Sequence, residues 1–88
     1  MAERYKVGIR VVSQIGSCVH EHRLGQEWLC EGKTPQGICI KAFSSLLPQI
    51  WFLRLGGSFP WEVDPGVTRI ACPDPVNPVV FELRRLPE

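Results

Sequence analysis

Residues 38–55 alone in this chain repeat their apolar side chains at spacings of three and four, which limits the fold to one helical layer. Phe43, Leu46, Leu47, Ile50, Leu53 and Leu55 carry the repeat. Pro48 stands inside it, without an N–H and in steric conflict with the preceding turn. The segment is therefore either one helix kinked at Pro48 or two short helices, with Pro48 opening the second. Gly56 and Gly57 follow, suited to a left-handed cap at its end.

Everything on either side of this segment reads as strand or turn. Residues 5–13 alternate, with Val7, Ile9 and Val11 on one face and Lys6, Gly8 and Arg10 on the other. Residues 27–31 form a short strand on which Trp28 and Cys30 share a face. Residues 67–72 and 79–86 are two more, the last with Val79, Phe81 and Leu83 inward and Glu82 and Arg84 outward. Glycine and polar breaks make residues 14–26 a loop or irregular hairpin, and residues 32–37 a turn. The prolines at 73, 75 and 78 bar residues 73–78 from a central strand. The order is β-β-α-β-β. It predicts a small α+β domain spanning residues 1–88, with one kinked helix, broken near Pro48, packed on a three- to four-stranded sheet.

Charge narrows the function classes. Ten Lys and Arg against nine Asp and Glu leave +1, too little surplus for a phosphate-tracking surface, so no nucleic-acid partner is expected. The longest apolar-rich stretch is interrupted by Lys41, Pro48, Gln49 and Arg54, and no membrane partner is expected either. The first residues run straight into the alternating strand with no apolar signal segment, which points to the cytoplasm. There, Cys18, Cys30, Cys39 and Cys72 are thiols, metal ligands or core residues rather than a disulfide framework. Walker, dinucleotide-binding, H-E-x-x-H and C-x-x-C patterns are all missing, which disfavours nucleotide-dependent and thioredoxin-like chemistry.

Four ordered blocks carry a resemblance: Ser13-Gln14-Ile15-Gly16-Ser17-Cys18, Gly32-Lys33-Thr34-Pro35-Gln36-Gly37-Ile38-Cys39, Leu53-Arg54-Leu55-Gly56-Gly57-Ser58-Phe59-Pro60-Trp61, and the run from Cys72-Pro73-Asp74-Pro75 to Glu82. With these the chain resembles a family of short uncharacterised prokaryotic proteins, many from anaerobes, for which no activity is established. The resemblance implies cysteines at the positions of Cys18, Cys39 and Cys72 and a histidine at that of His22. Cys30 and His20 depart from its pattern.

Cys18, His22, Cys39 and Cys72 would together make a tetrahedral donor set for zinc or iron. The competing view is that the cysteines are small buried hydrophobes and the histidines solvated. Cys39 has a second candidacy as a reactive thiol, because it falls at the predicted helix start, where unpaired N–H groups favour an anion. Topology governs which groups meet. Antiparallel pairing of the first two strands would leave Cys39 and Cys72 together but far from Cys18, whereas parallel pairing would gather all three. The residues 14–26, reaching about 40 Å, permit either.

The leading expectation is a small cytosolic thiol- or metal-site protein, with the cysteines brought together near the helix N-terminus. The alternative is a non-catalytic protein-interaction or small-molecule-binding module using residues 56–66. Trp61, Glu62 and Asp64 would be its contact residues, and the cysteines would be purely structural. Folding these aromatic rings over an undersized core is the plainer use of that loop. An exposed Trp51 or a short edge strand would also support a homodimer.

Overall fold

The alternation in the first strand segment becomes β1 (Val7–Gln14), and every second residue from Val7 to Val11 is buried. A computed structural model describes residues 5–17 and 22–87. Its remaining elements are β2 (Glu27–Cys30), α1 (Ile40–Arg54), β3 (Val67–Ala71) and β4 (Val79–Arg85). The four strands form one antiparallel sheet in the order β2-β1-β4-β3, so the two longest strands are central. One helix on one four-stranded sheet is the α+β architecture expected from the sequence. The expected site residue Cys18, like His20, lies outside the described residues.

A β-bulge interrupts the β1–β4 ladder: Val11 pairs with Phe81 and Ser13 with Val80, which leaves Val12 as the extra residue. Ladder bonding resumes beyond it, and Gln14 pairs with Val79. One face of the sheet, formed by Val7, Ile9, Val11, Cys30, Val79, Phe81 and Leu83, is buried beneath α1. The other carries Arg10, Arg69 and Arg84 around Glu82 at 3.6–3.8 Å, the polar alternation of a sheet covered on one side.

Helix α1 buries Ala42, Leu46, Ile50 and Leu53, spaced to make a single stripe toward the sheet. It is one continuous helix with Pro48 inside, not two short ones. Pro48 lies on the exposed side, so its ring meets solvent rather than the core, while the Ser44 carbonyl loses its helical donor. At the other end Gly56, at φ +88°, donates to the Leu53 carbonyl and Gly57 to that of Phe52. Those two bonds are a Schellman cap, the ending that the paired glycines predict.

Two anchors fix which way α1 points. The Tyr5 N–H donates to the Arg54 carbonyl at 2.8 Å, and the Arg85 guanidinium bonds the Gly57 carbonyl. The C-terminus of α1 therefore sits where β1 begins and β4 ends, and its N-terminus at the opposite end, beside the β3–β4 turn. This corrects the topological expectation. Strands β1 and β2 do pair antiparallel, yet the helix start is not at the far end from the close of β1. Residues 31–39 run back along the sheet, a distance their reach of about 30 Å allows. Among the described residues no helix is long and apolar enough to cross a membrane.

Replacing Pro48 by Ala restores a donor for the Ser44 carbonyl on an exposed helix face. Thermal or urea unfolding should show Pro48→Ala more stable than the wild type, by about 1–3 kcal/mol.

Candidate functional site

At the N-terminal end of α1 the helix, the β3–β4 turn and His22 enclose a cleft of about 320 Å³. His22, Cys39, Lys41, Cys72, Asp74 and Asn77 are among its lining residues. Two cysteines 33 positions apart in sequence thus reach one cavity, together with the histidine expected to accompany them.

Cys39 is the N-cap residue of α1, and its carbonyl accepts the Phe43 N–H at 2.9 Å. Its side chain makes no capping bond, so the thiol is not spent on the helix end. Its own N–H donates to Nε2 of His22 at 3.1 Å. An imidazole that accepts at Nε2 is neutral there and carries its proton on Nδ1. His22 is only 3% exposed, and its ring meets Trp28 and Phe81 edge-on at 5.2 and 5.9 Å between centroids. The histidine is therefore not a solvated loop residue. It is buried in aromatic company and braces the backbone of Cys39.

Cys72 leaves the end of β3 and is bracketed by Val79 at the start of β4. Its N–H donates to the Val79 carbonyl at 2.9 Å, and its Sγ accepts the Val79 N–H at 3.3 Å. The intervening turn is shaped by Asp74, whose carboxylate accepts the N–H groups of Val76 at 2.9 Å and Asn77 at 3.1 Å. The bonds from Asn77 and then Val76 hold the Asp74 carboxyl below its ordinary value of 3.8; Lys41 adds a smaller pull in the same direction. The prolines of residues 73–78 predict only that this segment is not a central strand. The signal for more was the Asp74-Pro75-Val76-Asn77 run, in which an Asp can bond backbone groups two and three residues on.

Cys39 and Cys72 are both half-buried and pack against the core while facing this cleft. Cys30 is elsewhere: it is buried, with its Sγ directed at the Lys33 carbonyl at 3.7 Å. Among the described residues no three His, Cys, Asp or Glu side chains are grouped to hold a metal ion. Ligation through Nε2 of His22 would require exchanging the Cys39 N–H for the metal. Cys18 falls outside the described residues, but its covalent neighbour Ser17 donates its N–H to Asn77 Oδ1, at 3.0 Å, on the cleft wall.

The loop of residues 56–66 is organised differently. Phe59 is buried and packs between Phe52 and Trp61 in tilted contacts, at 5.0 and 5.4 Å between centroids. Trp61 remains exposed on a shallow groove shared with Pro48 and Phe52. Glu62 accepts the Thr68 hydroxyl at 2.8 Å, while Asp64 accepts the Gly66 N–H at 3.0 Å and faces Arg84 at 3.6 Å. Neither carboxylate lines the groove at Trp61; Glu62 ties the loop to β3, and Asp64 holds the Gly66 amide and faces β4.

Replacing His22 by Phe keeps the ring contacts but leaves the Cys39 N–H without its acceptor. Urea denaturation should register a loss of about 1–3 kcal/mol. Asp74 gives a pH signature. A carboxyl held below its ordinary value supports the turn above that value, and the support is lost as pH falls through the lowered one. The Val76 and Asn77 amide resonances should therefore shift with a midpoint under 3.8, and stay unmoved between pH 5 and 7 beyond the reach of that titration.

Comparison of the chain with known protein families, curated proteins and solved structures finds no match.

Proposed function

We propose that this chain is a small thiol-site protein whose Cys39 and Cys72 act together at one cleft to hold a metal ion, zinc or iron. Thiolates are suited to either metal, and these two cysteines come from separate segments to line one cleft. That convergence is the observation that carries the reading. Nothing in the helix periodicity or strand alternation requires residues 39 and 72 to meet.

Cys18 is the third donor in this reading. Ser17, one position before it, donates to Asn77, and His22, four positions after it, accepts from the Cys39 amide. His22 acts as the brace on Cys39 and is the fourth donor only if it releases the Cys39 amide. Thiols kept reduced for such a role suit the cytoplasm. An interaction module built on Trp61 is the weaker reading, because Glu62 is engaged by Thr68 of β3 and Asp64 by Gly66 and by Arg84 of β4.

The test is elemental analysis of protein purified without air. About one equivalent of zinc or iron is expected per chain, and it should be lost in both Cys39→Ser and Cys72→Ser. Metal-free protein would overturn the reading and leave the cysteines as packing residues.

A further inference from the structure

The side of α1 turned away from the sheet is apolar too. Opposite the buried stripe of Ala42, Leu46, Ile50 and Leu53, it exposes Ile40, Leu47, Pro48, Trp51 and Phe52, with Leu55 at the cap. A helix covered on one side ordinarily meets solvent with charged side chains, and one that is apolar all round is buried all round. Between Lys41 and Arg54 the sequence holds no charged residue. Arg54 is itself tied to backbone, donating to the Tyr5 carbonyl at 3.1 Å and the Glu31 carbonyl at 3.2 Å. The Ser44 hydroxyl, on the same outer side, donates to the Lys41 carbonyl of its own helix at 2.6 Å.

This face has the relief and the size of a helix-pairing surface. Leu47, Trp51 and Leu55 stand four apart and make one ridge, and Pro48 and Phe52 make the next. Trp61, 74% exposed, extends the face across the groove it shares with Pro48 and Phe52. Weighted by exposure, these side chains offer on the order of 800 Å², what one partner gives to a standard stable interface. Charge decides which partner fits. An uncharged face has no complement for an acidic or basic protein, and no Lys or Arg array for an anionic membrane. It does suit a copy of itself, because an isologous contact sets a patch against the same patch, and any charge near its centre against its like. In an antiparallel pairing the two Lys41 side chains fall at opposite ends of the 15-residue helices, about 20 Å apart.

We propose that the outer face of α1 is a self-association surface, on which two copies of this chain pair antiparallel about a two-fold axis. The ridges of each copy enter the grooves of the other near Leu47 and Pro48, and Trp51 is the anchor of the contact. The pairing gives a domain of 88 residues the second interior that its own chain is too short to build. It stands independently of the metal reading.

The experiment is sedimentation equilibrium of the full-length chain at micromolar and submillimolar concentrations. The wild type should approach twice the chain mass of 9.9 kDa. Leu47→Glu and Trp51→Glu each place two carboxylates in the contact, and each should weaken association about 30-fold or more. The control is Leu29→Glu: Leu29 and Leu47 are both 46% exposed, but Leu29 lies on β2 at the open face of the sheet, and its variant should remain a dimer. Circular dichroism shows whether each variant is folded, and Trp51→Gln, with the same expected direction, replaces a glutamate variant that is not. A wild type that stays monomeric at submillimolar concentration overturns the proposal. A dimer that survives either glutamate variant, or that Leu29→Glu dissolves, overturns it as well, since the contact would then lie elsewhere. A monomer that instead floats with vesicles of phosphatidylcholine and phosphatidylglycerol overturns it in favour of a membrane surface.

Discussion

The packing of α1 on the two central strands is the contact from which the rest of this structure follows. Ala42, Leu46, Ile50 and Leu53 meet a floor made by Val7, Ile9, Val11, Val79, Phe81 and Leu83, and the largest fully buried side chains are all found here. A chain of 88 residues has little interior to spare, so this one interface accounts for most of the available hydrophobic stabilisation. Its direction matters as much as its area. With Arg54 tied to Tyr5 and Gly57 to Arg85, the helix C-terminus is held at one end of the sheet. The N-terminus then has a single destination, the end occupied by the turn between β3 and β4.

The cleft is a product of that orientation. Cys39 arrives with the helix start, Cys72 with the close of β3, and His22 with the return of the loop after β1. Each is secured by hydrogen bonds in which neither thiol acts as a donor. The Cys39 amide is answered by an imidazole, the Cys72 sulfur by the Val79 amide, and the turn between β3 and β4 by Asp74. The Cys39 sulfur makes no capping bond, while the Cys72 sulfur already accepts one amide.

Much of the fold was legible in the sequence because two periodicities declare themselves locally. The three-and-four spacing gave α1 to within two residues, and alternation identified the inward residues of β1 and β4. Gly56 marked the helix end for the steric reason that makes glycine common there. Which end of the sheet receives the helix start was not legible, because residues 31–39 have no periodicity and reach in either direction. The burial of His22 was hidden for a related reason: its neighbours Trp28 and Phe81 come from two different strands. Asn77 was the least visible of all. Its partner is 60 residues away, and only the strand register brings the two together.

Three separate stretches of polypeptide form the cleft, and no single one of them contains it. An extended, denatured chain holds its sulfur atoms tens of residues apart, so an occupant that needs both has affinity for the native conformation alone. Were the proposed metal bound there, mass action would make it a determinant of the folding equilibrium itself. At a free concentration a hundredfold above its dissociation constant, it adds about 2.7 kcal/mol to the stability of the native state. For a domain with so small an interior, that is a sizeable share of the margin between order and collapse.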